Sequence, residues 1–260
     1  MHNFLFGIYP YIALAVLILG SIARYERDPF TWKSSSSQLL RRKQLMIGSI
    51  LFHLGVLVIF VGHLFGLLIP HQIYEAFGIH AEAKQLLAAT AGGIAGVLAI
   101  IGGIMLAHRR LNDPRVRATS SFWDTAILLI LLAQLALGLI SVPYSIVTAE
   151  HGEVLLFMAW AQGIFTFQSD AATHLAHVPL IYKLHIVLGL TIFVLFPFTR
   201  LVHIVSGIAA PFRYLFVRTG YQLVRSRRSQ PLPSRTGAVT ASRKVVAPKP
   251  APDATARPAE

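Results

Sequence analysis

The sequence predicts an all-α membrane protein of five transmembrane helices, with the N-terminus outside and the C-terminus in the cytoplasm. Three observations carry this prediction. Of 260 residues, 55% are hydrophobic and only 13% are charged, and the mean hydropathy is +0.61; a soluble domain carries about 25% charged residues. Five apolar runs reach the roughly 20 residues that a helix needs to cross the hydrocarbon core. The segments between them alternate between strongly basic and almost free of basic residues, the pattern that sets orientation in a membrane.

The first run, 4–23, leads directly into Arg24 and Tyr25 with no basic region before it. It reads as a span that is kept, not as a cleaved signal peptide. The next segment, 24–44, holds Arg24, Arg27, Lys33, Arg41, Arg42 and Lys43. After the second run, 45–69, the segment 70–85 has Lys84 as its single cation, beside Glu75 and Glu82. The third run, 86–107, is followed by Arg109, Arg110, Arg115 and Arg117. After the fourth, 125–147, the segment 148–181 holds no Lys or Arg, and the fifth run, 182–209, opens a stretch rich in both from Arg200 onward. The basic segments belong in the cytoplasm, which places the two termini on opposite sides, as an odd number of spans demands. Lipid offers the backbone no partners, so the runs must be helices; they lack the alternation of barrel strands.

Two further segments complete the organisation. Residues 154–167 are apolar but too short to span, and read as an interfacial or re-entrant helix with Trp160 at headgroup level. From about 229 to 260 the composition shifts to Pro, Ala, Ser and Arg, which predicts a disordered cytoplasmic tail after a membrane domain of residues 1–228. The formal net charge of +12 is explained by topology and by contact with anionic lipid, and its placement argues against nucleic acid.

Among eleven histidines, four lie inside spans. They are His53 and His63 in the second, and His185 and His203 in the fifth. An ionisable residue within a span is costly and points to function, although any one of them alone is equally well a hydrogen-bonded packing residue. The two spans run in opposite directions, so His63 should meet His185 at the outer side, and His53 should meet His203 at the cytoplasmic side. Paired imidazoles of this kind are axial ligands for two haems; six-coordinate iron suits electron transfer rather than oxygen binding. With no cysteine in the chain, covalent attachment is excluded and the haems would be b-type. On straight helices His185 and His203 share a face, being about five turns apart, whereas His53 and His63 differ by roughly 80°. Helix tilt is one way to absorb that mismatch; two haems on different helix pairs are another. Gly55, Gly62 and Gly66 on the second span and Gly189 on the fifth permit close approach of a flat group, or ordinary helix packing.

These residues stand in longer motifs. They include Ile8-Tyr9-Pro10-Tyr11-Ile12, Leu51-Phe52-His53-Leu54-Gly55, Phe60-Val61-Gly62-His63-Leu64-Phe65-Gly66 with Pro70-His71, and Arg109-Arg110-Leu111 with Pro114-Arg115-Val116-Arg117-Ala118-Thr119. Near the end come Leu184-His185-Ile186-Val187-Leu188-Gly189, Phe196-Pro197-Phe198-Thr199-Arg200-Leu201-Val202-His203-Ile204 and Tyr221-Gln222-Leu223-Val224-Arg225. Over about residues 6–226 the chain resembles the gamma subunit, a dihaem cytochrome b, of membrane-bound respiratory nitrate reductase; the tail departs from it. The resemblance implies a multi-pass protein of the bacterial cytoplasmic (inner) membrane. It would oxidise quinol near the outer face and pass electrons singly through two b haems to an iron–sulfur beta subunit and a molybdenum alpha subunit that reduces nitrate. It also implies that His63 and His185 hold the distal haem and His53 and His203 the proximal one. Lys84, with Gly62 nearby, is implied in the quinol site, where a cation would stabilise the anion that develops as protons leave. Arg109, Arg110 and Arg200 are candidates for pairing haem propionates, although the charge bias alone explains them. The competing readings are a related dihaem cytochrome b serving a sulfur-cycle or heterodisulfide-reductase-like complex and, more distantly, a membrane transporter without haem.

Overall fold

The computed structural model describes residues 1–28, 32, 40–149 and 152–205. The tail expected at 229–260 lies outside the described residues. Among the described residues all regular structure is helical. A π-helical turn, Phe4–Ile8, leads into α1 (Tyr9–Arg27); then follow α2 (Arg42–Leu68), the short α3 (His71–Ala76), α4 (Ala81–Asn112), the short α5 (Pro114–Ala118), α6 (Phe122–Val147), α7 (Glu153–Phe165) and α8 (Leu180–Leu195). Five stretches are long and apolar enough to cross a membrane: Phe4–Arg27, Arg42–Leu68, Ala81–Asn112, Phe122–Val147 and Leu180–Phe198. They match the five apolar runs, and together they make a multi-pass membrane protein.

The helix ends extend past the apolar runs because local chemistry stops them. Ser121 caps α6 by accepting the Asp124 N–H at 3.1 Å, while the Asp124 carboxylate accepts the Ser121 N–H at 3.3 Å; this reciprocal box satisfies two of the free donors at a helix start. Asp113 closes α4 and caps α5, accepting from the N–H groups of Arg115 and Val116 and pairing with Arg41 Nε at 2.6 Å. Burial works to raise its pKa, but the two N–H groups and the Arg41 guanidinium prevail and hold it below the ordinary carboxylate value.

The spans pack in the order α2, α4, α6, α8, α1. The tightest contact is between α2 and α4, and glycine makes it. A Cβ added to Gly102 would strike the backbone N of Phe52, and would lie 2.6 Å from the carbonyl of Gly48. A Cβ on Gly55 would strike the carbonyl of Ala95 and lie 2.8 Å from Ala99 Cβ. Gly48, Phe52 and Gly55 are accordingly buried, while Ile50, Leu54, Leu57 and Val58 on the other side are exposed. In a bilayer, association rests on such close backbone packing, because lipid is as apolar as the protein interior. Gly55 is therefore a packing residue against α4, the second of the two readings that the sequence left open for it.

Two expectations are corrected. Trp160 does not face a headgroup layer. It is buried in a cluster with Phe6, Ile164, Leu175 and Tyr182, and its indole N–H donates to the Phe6 carbonyl at 2.8 Å, a partner that a buried indole requires. The fifth span is not one helix to residue 209. α8 ends at Leu195, short 3-10 turns follow at Phe196–Phe198 and Arg200–Val202, and the helix resumes at His203. Pro197 supplies no N–H, and extended Thr199 (φ −118°, ψ −179°) starts a new turn by accepting the Leu201 N–H at 3.4 Å. Residues 206–209 lie outside the described residues.

Gly102→Val should destabilise the protein by about 1–3 kcal/mol or more, since a methyl-bearing carbon meets backbone and not a movable side chain. Gly92→Ala, where nothing lies within 4 Å of the added carbon, should be neutral or slightly stabilising. Thermal melting of the purified protein in detergent checks the contrast.

Candidate functional site

His53 and His63 stand on the side of α2 that faces away from α4, and both are exposed. Their orientation is set within the helix. The Nδ1 of His53 donates to the Ser49 carbonyl at 2.7 Å, and the Nδ1 of His63 to the Ile59 carbonyl at 2.8 Å. Each bond commits Nδ1 as the donor and leaves Nε2 with its lone pair, pointing off the helix. His203 repeats the device after the helix break, donating from Nδ1 to the Arg200 carbonyl at 2.5 Å. His185, on α8, is half-buried between α8 and α6.

The structure brings these residues together in two pairs. The ring centres of His63 and His185 are 6.1 Å apart with an interplanar angle of 39°. Those of His53 and His203 are 6.2 Å apart at 70°. Two imidazoles bound to opposite faces of one metal, at about 2.0–2.1 Å per bond, have ring centres roughly 6–6.5 Å apart. Both pairs fit that spacing, and three of the four rings already present Nε2 for it. A contact between two neutral imidazoles for its own sake would be a hydrogen bond at about 3 Å; none joins either pair. The offset of roughly 80° between His53 and His63 lies on the continuous helix α2; on the other side the break at 196–202 uncouples His203 from the register of α8.

Around the His53–His203 pair, Asp124 gathers two cations: Arg110 Nη1 lies 3.8 Å and Arg200 Nη1 3.9 Å from its carboxylate. Arg109 turns away from this cluster and donates to the Leu40 carbonyl at 2.6 Å.

Lys84 is buried at 5% exposure near the start of α4. Its ammonium reaches Met158 Sδ at 2.7 Å and sits 3.8 Å from the ring centre of Tyr74. The Tyr74 hydroxyl in turn donates to the Phe65 carbonyl at 2.9 Å, two residues past His63. Lys84 is thereby tied to the end of α2 that carries Gly62 and His63, and it does not extend into solvent as an interfacial lysine would.

The chain is similar over nearly all of this bundle to known proteins. The profile of the nitrate reductase gamma subunit family matches residues 2–227. The respiratory nitrate reductase 1 gamma chain of Escherichia coli is 49% identical over 227 residues, 87% of this chain and 98% of that protein. The respiratory nitrate reductase 2 gamma chain of the same organism is 50% identical over 88% of this chain, and the nitrate reductase gamma chain of Bacillus subtilis 41% identical over 81%.

The chain belongs to the nitrate reductase gamma subunit family.

Gly62 and Gly66, on the same flank of this gamma-subunit chain as His63, have nothing within 4 Å of an added Cβ, unlike the packing glycines Gly48 and Gly55. Sequence reasoning missed three participants. Met158 and Tyr74 reach Lys84 only through tertiary contact. Gln134, on α6, meets His185: its Nε2 donates to the His185 carbonyl at 3.1 Å and lies 3.3 Å from the ring Nε2. An amide in the middle of an apolar span was the signal that could have found it.

Arg24 secures the break that frees His203. Its Nη1 donates to the carbonyls of Pro197 and Thr199, both at 2.7 Å, the acceptors that the broken helix leaves without intrahelical partners. Arg24→Leu should cost about 1–3 kcal/mol for each carbonyl stranded, read as a lower melting temperature in detergent, while Arg27→Leu, one turn on, should have the smaller effect.

Proposed function

We propose that this chain is the quinol-oxidising cytochrome b subunit of a respiratory nitrate reductase in the bacterial inner membrane. It would hold one b haem between His63 and His185 and a second between His53 and His203, and deliver electrons to an iron–sulfur subunit that serves a molybdenum subunit. The observation that carries this reading is the pair of imidazole contacts at 6.1 and 6.2 Å, both at the spacing of rings on opposite faces of one metal. Family membership, with relatives named as respiratory nitrate reductase gamma chains, supports the choice of complex. When bound, the two haems supply a one-electron relay between a two-electron donor and the partner.

This chain's own residues do the rest. The Nδ1 bonds of His53, His63 and His203 fix tautomer and ring direction, and raise the basicity of the nitrogen that faces the metal. Lys84, in low-dielectric surroundings beside Tyr74 and Met158, is placed to stabilise the oxyanion of a quinol head group as its protons leave, which is where fixed charge is most effective. Gly62, with no side chain, leaves room for that ring next to His63. Protons would leave on the outer side, while electrons move inward, as the charge bias of the loops orients the chain. Each charge so separated is worth about 2.3 kcal/mol per 100 mV.

Four outcomes are expected. The purified complex should show a reduced-minus-oxidised b-type spectrum with two centres. His63→Ala and His185→Ala should each remove the same centre, and His53→Ala and His203→Ala the other; retention of both centres in His63→Ala would sink the reading. Lys84→Ala should keep both centres but lower quinol-dependent kcat/KM by about tenfold or more, a loss of about 1.4 kcal/mol in transition-state stabilisation. Because the chain has no cysteine, label on this chain can come only from an introduced one. A membrane-impermeant maleimide added to spheroplasts should label Phe77→Cys, and should label Ala118→Cys only after the membrane is opened.

A further inference from the structure

His53, His63 and His203 carry their proton on Nδ1, held by a carbonyl of the preceding turn. His71, at the start of α3, is held the other way round. Its Nε2 lies 3.1 Å from the carboxylate of Glu75, one turn on in the same helix. An ionised carboxylate only accepts, so Nε2 is the donor and Nδ1 keeps the lone pair. That Nδ1 is buried and has no hydrogen-bond partner, whereas the Glu75 side chain is 53% exposed. A buried basic nitrogen is thus joined, through one ring, to a carboxylate open to solvent. Ionisable pairs of this kind carry protons at membrane proteins.

Two routes of contact, independent of this pair, set it beside Lys84. His71, Tyr74 and Glu75 share one face of α3, at i, i+3 and i+4, and the Lys84 ammonium sits 3.8 Å from the centre of the Tyr74 ring. On α7, Met158 meets Lys84. Gln162, one turn later, donates to the carbonyls of Leu67 at 3.0 Å and Ile69 at 3.4 Å, the second only two residues before His71. Two other carboxylates at this end are placed differently. Glu82 is exposed on the first turn of α4, and Glu153 accepts the Thr148 hydroxyl at 2.9 Å.

We infer that His71 and Glu75 form the outlet for the protons of the quinol that Lys84 receives. This rests on the quinol-oxidising reading given above. Quinol loses two electrons and two protons, and the electrons go singly to the His63–His185 centre. Each O–H bond breaks with its electron pair left on oxygen, and the proton passes, directly or across one water, to Nδ1 of His71. The imidazolium so formed gives its Nε2 proton to Glu75, which releases it to outer water, and the ring turns over to accept again. Lys84 stabilises the oxyanion and the pair on α3 removes the proton, so the two tasks fall to separate groups.

The test uses the complete complex in membranes and follows reduction of the His63–His185 centre by quinol, without nitrate, in a stopped-flow spectrophotometer. His71→Ala should slow that reduction by about tenfold or more, and added imidazole should restore a large part of the lost rate. Glu75→Gln, which keeps an oxygen at the same reach but cannot take the proton, should slow it by about threefold to tenfold. The solvent deuterium isotope effect should rise in both. The dithionite-reduced spectrum and the potentials of both centres should stay at parent values, and Glu82→Gln should be reduced at the parent rate. Parent rates in both His71→Ala and Glu75→Gln overturn the inference. A slowed rate in His71→Ala that imidazole does not restore overturns it as well, because the pair then serves only to hold α3 together. If quinol fails to reduce the centre in the parent, the quinol-oxidising reading itself fails, and the two failures are thereby told apart.

Discussion

The glycine contact between α2 and α4 is the constraint on which the arrangement of histidines depends. Apart from Ser49, His53 and His63, the membrane-spanning part of α2 is apolar on every side, so its hydropathy leaves its rotation open. Gly48, Gly55 and Gly102 bring the two backbones so close that a single added carbon would meet backbone atoms. That contact claims one side of α2 and turns His53 and His63 away from α4. Every later step follows from it: the Nδ1 bonds to Ser49 and Ile59 carbonyls then aim both rings off the free side, toward His203 and His185.

The second requirement is a backbone break at the end of the fifth span, and it is met from the other end of the chain. A helix interrupted by Pro197 leaves carbonyls that lipid cannot satisfy. Arg24, on the first span, donates to two of them, at Pro197 and Thr199. His203 can therefore sit on a fresh turn, capped by Thr199, and is not bound to the register of α8. The same economy recurs where the helices end. The Gln85 amide nitrogen donates to the Ser145 carbonyl at 2.8 Å while its oxygen accepts the Val154 N–H at 3.0 Å, and Gln162 donates to the Leu67 carbonyl at 3.0 Å. Long-range side-chain bonds to backbone hold the α2, α4, α6 and α7 ends together, and Lys84 lies among them, over Tyr74.

The site thus combines two kinds of rigidity. On α2 the His53 and His63 rings are set by bonds within one helix, which form as soon as the helix does. On α8 the His185 ring instead lies against α6, beside Gly138 and with the Gln134 amide nitrogen 3.3 Å from its Nε2. The rings of α2 are thus fixed within one helix, while that of His185 is placed by packing between two.

The sequence by itself determined the five spans, the four histidines within them, the pairing expected from antiparallel topology and the family. These features are local or compositional: twenty apolar residues must be helical in lipid, and a histidine inside such a run is conspicuous wherever it points. Only the tertiary structure decided that Gly55 packs on α4, that Trp160 is buried against Phe6, that the fifth span breaks at Pro197, and that Gln134 meets His185. The physical reason is common to all four. Lipid and protein interior are alike in polarity, so an apolar helix carries no pattern that says which side meets protein. That choice is made by the neighbouring helices, through close packing and the few polar atoms that must find partners.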